Sequence, residues 1–264
     1  MSALLQLKRV TRRFGGLTAV SNLDIDLHAG EILALIGPNG AGKTTTFNLI
    51  AGADQPGAGE IWFDGLRIDA APAHARAGLG LARTFQHNMP FIGMNLEENV
   101  LVGRHARLKS NLIRVVLGGG IMHAAEREAR ARAAELINFV GLGDRAKRDV
   151  ATLSFGEGRL LEVARALASE PRALLLDEPA AGLTGGEVRH LADILAAVAK
   201  RGVAVLLIDH DMAFVLPLAQ RAVVLNFGEK IADGAPREIV RDPAVIAAYL
   251  GETAAQFDAG ARYA

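Results

Sequence analysis

Two sets of residues in this sequence could together act on a phosphoanhydride. The first is Gly37-Pro38-Asn39-Gly40-Ala41-Gly42-Lys43-Thr44, a complete G-x-x-x-x-G-K-[ST] phosphate loop. Gly37, Gly40 and Gly42 let the backbone curl so that successive N–H groups point at phosphate oxygens. A helix following the loop would add the positive end of its dipole. Lys43 is placed to reach the β- and γ-phosphates, and the Thr44 hydroxyl to ligate Mg²⁺. An ordinary glycine turn between strand and helix is the competing reading, and the full match in a strand–loop–helix context argues against it. Alone, the loop says only that a nucleoside triphosphate is bound.

The second set is Asp177-Glu178, delivered by the apolar run Ala173-Leu174-Leu175-Leu176. That run reads as a buried strand, and the C-terminal edge of an open parallel sheet is where ligands bind. Asp177 could hold the Mg²⁺ shell, and Glu178 could polarise a water for in-line attack on the γ-phosphate. Two acids in a solvated turn are common, so it is the phosphate loop that favours catalysis here. A third stretch, Leu153-Ser154-Phe155-Gly156-Glu157, contains a capping box in which Ser154 and Glu157 start a helix running to about Ser169. The cap accounts for Ser154 and Glu157 without any function. Gly156 is left over, because glycine in a helix interior costs about 1 kcal/mol relative to alanine. A phosphate that must approach the backbone closely would account for it.

The surrounding elements fit an α/β domain. Leu4 to Val10 and Leu23 to Leu27 alternate partly, as half-buried antiparallel strands do. Glu60 to Phe63 and Leu66 to Ile68 flank Asp64-Gly65, a hairpin signal. Ile32 to Ile36 is continuously apolar, as expected of a strand covered on both faces, and runs straight into the phosphate loop. From about Asn95 to Val150 strand signals fade. A helix is expected over Ala124 to Val140, with Glu126/Arg130 and Glu128/Arg132 as i,i+4 pairs, Gly141 past its end, and a loop at Gly118-Gly119-Gly120. Alternation then returns: helix Ser154–Ser169, strand Ala173–Leu176, helix Gly186–Lys200, strand Val203–Ile208, strands Ala222–Leu225 and Lys230–Ala232, and a short helical tail ending near Leu250. Such alternation implies a mainly parallel, doubly wound sheet.

Composition narrows the class. With 264 residues and 50% apolar content, one large domain can bury a real core. Twenty-nine basic and 29 acidic side chains cancel, which disfavours nucleic acid held by bulk electrostatics. Cysteine is absent, so disulfides and thiolate metal sites are excluded. The first ten residues do not read as a signal peptide. No apolar run approaches the ~18 residues of a spanning helix, so a membrane role would come through a partner.

Gly37 to Thr44, Gln86, Leu153 to Glu157, Leu174 to Pro179 and His210 stand in the order and spacing of ABC-transporter ATPase subunits, and the chain resembles that family over nearly its whole length. The resemblance implies a P-loop NTPase core with a mainly parallel sheet, an antiparallel β subdomain and a helical insertion. The core with its antiparallel strands would take about 1–94 and 160–250, the helical subdomain about 95–159, and a tail 251–264. It implies ATP and Mg²⁺ as ligands. Phe14 would stack on adenine, Gly37, Pro38, Asn39, Gly40, Ala41, Gly42, Lys43, Thr44 and Thr45 would bind the nucleotide, and Thr44, Gln86 and Asp177 would hold the metal. Glu178, Gln86 and His210 would be catalytic, Gln86 also coupling the site to membrane subunits. Ser154, Phe155, Gly156 and Glu157 would close over ATP on a second ATPase subunit, whether a copy of this chain or a shorter sister. Phe155 replaces a common glycine, Gly158 adds flexibility just after the motif, and Thr184 stands where many members carry an aspartate that crosses the dimer.

Leu153 to Glu162, Glu178 to Leu183, Ile208 to Met212 and the ending Asp242 to Gly251 look most similar to the longer ATPase subunit of bacterial branched-chain amino-acid importers, as does the long insertion Leu101 to Met122. Urea, amide and lipopolysaccharide systems have close relatives. The likeness implies transmembrane permease partners, an indirect link to a solute-binding protein, no nucleic acid, and a peripheral place on the cytoplasmic face of the inner membrane. Two rivals stand: a soluble ABC ATPase of DNA repair, translation or cluster assembly, and a regulatory module that binds ATP without hydrolysing it. Intact Lys43, Asp177, Glu178 and His210 oppose the second.

Overall fold

The structure, a computed structural model, describes residues 3–84, 90–104, 119–209 and 211–250. Its first half contains β1 (Leu5–Phe14), β2 (Leu17–Leu27), β3 (Ile32–Ile36), α1 (Lys43–Ala51), β4 (Ala58–Phe63), β5 (Leu66–Arg67), α2 (Ala73–Leu79) and β6 (Leu81–Arg83). Then follow α3 (Leu96–Gly103), α4 (Gly119–Phe139), α5 (Phe155–Ala168), β7 (Ala173–Asp177), α6 (Gly185–Lys200) and β8 (Ala204–Ile208). The described chain closes with α7 (Met212–Leu218), β9 (Arg221–Asn226), β10 (Glu229–Gly234), α8 (Pro236–Ile239) and a helical stretch at 243–250.

Two sheets result. One is antiparallel, in the order β2-β1-β4-β5; the other has six strands, in the order β10-β9-β3-β8-β7-β6, parallel throughout except for β10 on β9. Period-two alternation along the central strands divides two cores. Ile32, Ala34 and Ile36 face one core with residues of α3 to α7, while Leu33 and Leu35 face the other with the antiparallel sheet and α1. Leu174/Leu176 and Ala173/Leu175 split in the same way, as do Val205/Leu207 and Leu206/Ile208. Burial on both faces is why these strands are apolar at every position.

Sequence patterning located most of these elements, with two corrections. The glycine run does not make a loop at residues 119 and 120, because α4 already begins at Gly119; Gly118 lies outside the described residues. Glu126 pairs with Arg130 at 3.0 Å as expected, but Arg132 pairs with Glu135 at 2.7 Å while Glu128 receives Arg104 at 3.0 Å. An i,i+3 partner and a tertiary one replace the expected i,i+4 pair. Helix α5 runs unbroken from Phe155 to Ala168 as expected, and Gly158 lies inside it as regular helix, its N–H donating to Ser154 O at 2.9 Å. Elements α3, α4 and α5 pack on one another, and α5 also reaches the core that underlies the six-stranded sheet.

Candidate nucleotide site

The site grows from the end of β3. All five of its residues are buried, and the chain then turns through Gly37 (φ 145°), Gly40 (φ 74°) and Gly42 (φ 101°). These glycines are required by space as well as by conformation. A Cβ on Gly37 would collide with Leu225 O, and one on Gly42 with Ala19 O. Gly42 caps α1 in a left-handed conformation and supplies no side-chain cap, and the first residues of α1, Lys43 to Thr45, border the cavity above. Lys43 Nζ folds over the loop, donating to Gly37 O at 2.6 Å and Pro38 O at 2.8 Å. The far end of α1 is fixed by Arg76, fully buried, whose guanidinium donates to Leu49 O, Ile50 O and Ala71 O.

A cavity of about 410 Å³ lies over this loop. It is bordered by Asn39, Gly40, Ala41, Gly42, Lys43, Thr44 and Thr45, by Phe14, Leu17, Thr18 and Ala19 of the β1–β2 hairpin, and by Glu178, Ile208 and Phe227. Phe14 is 48% exposed and so is no core residue. One face of its ring carries the Arg12 guanidinium at 4.7 Å, and Arg12 is itself tied to Asp54 at 2.8 Å. That contact supports the ring beside the cavity.

The two acids behave differently. Asp177, at the end of β7, is 3% exposed, and its Oδ2 is buried with no hydrogen-bond partner. Burial pushes its carboxyl above the ordinary range; Arg83 opposes this, while Glu178 and Asp209 add to it. A buried, unpartnered carboxylate oxygen is an expensive feature in a protein by itself and is what a divalent cation would satisfy. Among the described residues no three His, Cys, Asp or Glu side chains cluster as metal ligands. Glu178 borders the cavity with a left-handed backbone (φ 47°), held by its N–H donating to Ile208 O at 2.7 Å. A glutamate kept in that conformation is strained, and such strain concentrates at functional positions.

Ser154 caps α5 as expected. Its hydroxyl accepts from Glu157 N at 3.2 Å, and Glu157 Oε2 accepts from Ser154 N at 2.8 Å. Glu157 is also paired with Arg145. Gly156 also has a reason within its own chain. It is buried, and a Cβ there would strike the Glu187 carboxylate. Glu187 is held in that place by the α6 cap, accepting from Thr184 N and Thr184 Oγ1, both at 2.8 Å. Thr184, where the resemblance led one to look for an aspartate, is therefore a helix cap. Phe155 is 52% exposed, with its ring against Gly182 on one side and Arg159 at 5.3 Å. Residues Ser154 to Glu157 are not among those bordering the phosphate-loop cavity of their own chain.

Comparison with known proteins decides the family. Residues 20–181 match the ABC transporter family, and residues 229–255 match a family described as branched-chain amino acid ATP-binding cassette transporter. The chain belongs to the ABC transporter family. This ABC ATPase is 41% identical to the high-affinity branched-chain amino acid transport ATP-binding protein LivG of Escherichia coli, over 94% of this chain and 98% of that one. It is 42% identical to BraF of Pseudomonas aeruginosa with the same coverage. The lipopolysaccharide export protein LptB of Acidithiobacillus ferridurans is 36% identical, over 96% of this chain and 98% of that one. Among solved structures, an ABC-transporter ATP-binding cassette in its ADP conformation superposes with a TM-score of 0.83 at 28% identity, covering 95% of this chain and 100% of that one. A nucleotide-free cassette gives 0.81 at 27%, covering 94% and 98%.

The cassette binds nucleotide and works as the ATPase subunit of a transporter with separate membrane subunits. Among its described residues no helix is long and apolar enough to cross a membrane. Gln86 and His210 lie outside the described residues. Their neighbours reveal two groups that sequence reasoning missed. Asp209, 1% exposed, accepts from Asp211 N at 2.9 Å and Ala180 N at 3.4 Å, joining the end of β8 to the turn after Glu178. Arg83, at the end of β6, donates to Asn48 Oδ1 at 3.0 Å and lies over the Phe47 ring at 4.7 Å. Both follow apolar strand residues at the sheet's ligand edge, and that position was the available signal.

Proposed function

We propose that this ABC ATPase powers import of branched-chain or related amino acids through separate permease subunits supplied by a solute-binding protein. The observation that carries the substrate class is the match of residues 229–255 to the branched-chain cassette family, in addition to the general ABC match. LivG and BraF, named for that transport, align over 94% of the chain. The protein would sit peripherally on the cytoplasmic face of the inner membrane. It would act as one half of an ATPase pair, with a second copy or a shorter sister subunit.

In this reading the loop Gly37 to Thr45 binds the triphosphate, with backbone N–H groups and Lys43 taking up its charge and Phe14 stacking on adenine. Thr44, Asp177 and Gln86 would hold Mg²⁺, which when bound neutralises charge on the phosphates. The unpartnered Oδ2 of Asp177 supports that set. Glu178 would accept a proton from the attacking water, and His210 would have the role of orienting Glu178. Ser154 to Glu157 complete the site on the partner subunit, a role supported by their position away from the chain's own phosphate loop. The capped N-terminus of α5 and the exposed Ser154 and Phe155 are what the partner's ATP would meet. Closure of the pair would pass through the segment from Gln86 to Gly93 into the permease. The core and antiparallel strands (about 1–94 and 160–250) would bind ATP, and the helical part (about 95–159) would carry the motion.

The test is ATP-driven uptake by the complex reconstituted in vesicles, assayed with leucine, isoleucine, valine, other amino acids, urea and amides. Accumulation of branched-chain amino acids is expected. Uptake confined to urea or amides, or ATP-driven release of lipopolysaccharide without amino-acid uptake, overturns the assignment.

A further inference from the structure

Phe227 sits where folding alone gives no reason for a phenylalanine. It is the first residue of the two-residue turn joining β9 to β10, followed by Gly228, with φ 46° and 82° at the two positions. Positive φ at both central residues defines a type I′ turn, whose first position favours asparagine, aspartate or glycine. The hairpin between β4 and β5 follows that preference, with Asp64-Gly65 at φ 52° and 75°. Phe227 departs from it and is also 84% exposed. A large apolar ring in a disfavoured backbone conformation, left in water, gains nothing from the core.

Its position is nevertheless fixed. Gly228 N donates to Ala41 O of the phosphate loop at 3.0 Å, and Ser21 N donates to Gly228 O at 2.8 Å. A Cβ at Gly228 would lie 2.8 Å from Ala19 O, so the turn is pressed against β2 as well. The Phe227 backbone is thus held to both walls of the cavity that its ring borders, the cavity that Phe14 borders from the other sheet. We propose that Phe227 is a second aromatic contact for the purine base of the nucleotide, acting together with Phe14. The proposal rests on the nucleotide-site reading above. The occupant is a purine rather than a partner side chain because the ring shares its cavity with the phosphate loop. Aromatic stacking tolerates any base, so the contact should add affinity for purine nucleotides without choosing between them.

Equilibrium binding of ATP, GTP and inorganic triphosphate to the full chain with Mg²⁺ tests this. Phe227→Ala should weaken ATP and GTP about tenfold, within the range of base–aromatic stacking, and leave triphosphate unchanged. Phe227→Asn should lose the same tenfold while raising Tm, because asparagine suits the turn. A purely structural role would instead join tighter folding to unchanged or better binding. Phe227→Trp should keep ATP affinity, and its emission, above the constant background of Trp62, should be quenched by ATP and not by triphosphate. Unchanged ATP affinity in Phe227→Ala, an equal loss for triphosphate, or a defect seen only in ATP-driven dimerisation overturns the proposal. Failure of the underlying site reading is distinguishable, because the wild-type chain would then bind neither ATP nor triphosphate.

Discussion

Gly156 and Glu187 compete for one space: the carboxylate of Glu187 lies where a side chain on residue 156 would begin. Two helix starts, those of α5 and α6, are interlocked there, each closed by its own capping box. Alanine normally improves a helix relative to glycine by about 1 kcal/mol. Here the clash should reverse the sign, with Gly156→Ala destabilising the isolated chain by about 1–3 kcal/mol, the usual size of overpacking. Adding Glu187→Ala should restore most of the loss in a denaturation double-mutant cycle. Additive losses would mean that the contact does not set the glycine.

Glu178→Gln keeps shape and removes the carboxylate proposed as the base. ATP hydrolysis should fall by at least ~10²-fold, the lower end of general-base catalysis, with ATP affinity retained. Ordinary turnover in this variant would remove Glu178 from the proposed chemistry.

Asp177 gives a pH signature. Burial raises its folded-state pKa above the ordinary 3.8, so the folded chain binds that proton more tightly than the unfolded chain. The stability penalty is absent below the ordinary value, grows as pH rises through the interval up to the raised value, and is complete above it. Asp177→Asn should therefore be more stable than wild type near neutral pH without ligand, and the difference should shrink on acidification. Mg²⁺ with ATP should then raise Tm in wild type more than in the variant. A thermal-shift series across pH with both proteins checks each part.

Asp209→Ala should lower kcat with little change in KM for ATP, because it frees the turn after Glu178 without touching the phosphate loop. Loss of two hydrogen bonds to a buried carboxylate should also cost about 1.5–3 kcal/mol of stability for each bond. Steady-state kinetics showing a raised KM at unchanged kcat would contradict the positioning role.

Local rules made much of this molecule legible. The apolar runs of β3, β7 and β8 announced strands covered on both faces, and the S-x-x-E pattern announced the start of α5. What stayed hidden depends on distant partners. The contact that leaves no room for a side chain at Gly156 exists only once α6 is in place, and Glu128 turns to Arg104 instead of Arg132 because α3 lies alongside α4. Element α2 is short, and Arg76 is buried in it to bind the end of α1, a role no periodicity encodes. The strand β6 has only three residues and takes its definition from pairing with β7. Glu178 was identifiable by its place after a buried strand, but its left-handed backbone was not.

The bond from Glu178 N to Ile208 O and the bridge from Asp209 to Ala180 N stitch neighbouring strand ends together. The strand end that carries Glu178 and the one that ends at Asp209 are therefore tied to each other by two hydrogen bonds. A change at either residue should therefore be felt at the other, which makes the two strand ends one unit rather than two independent turns.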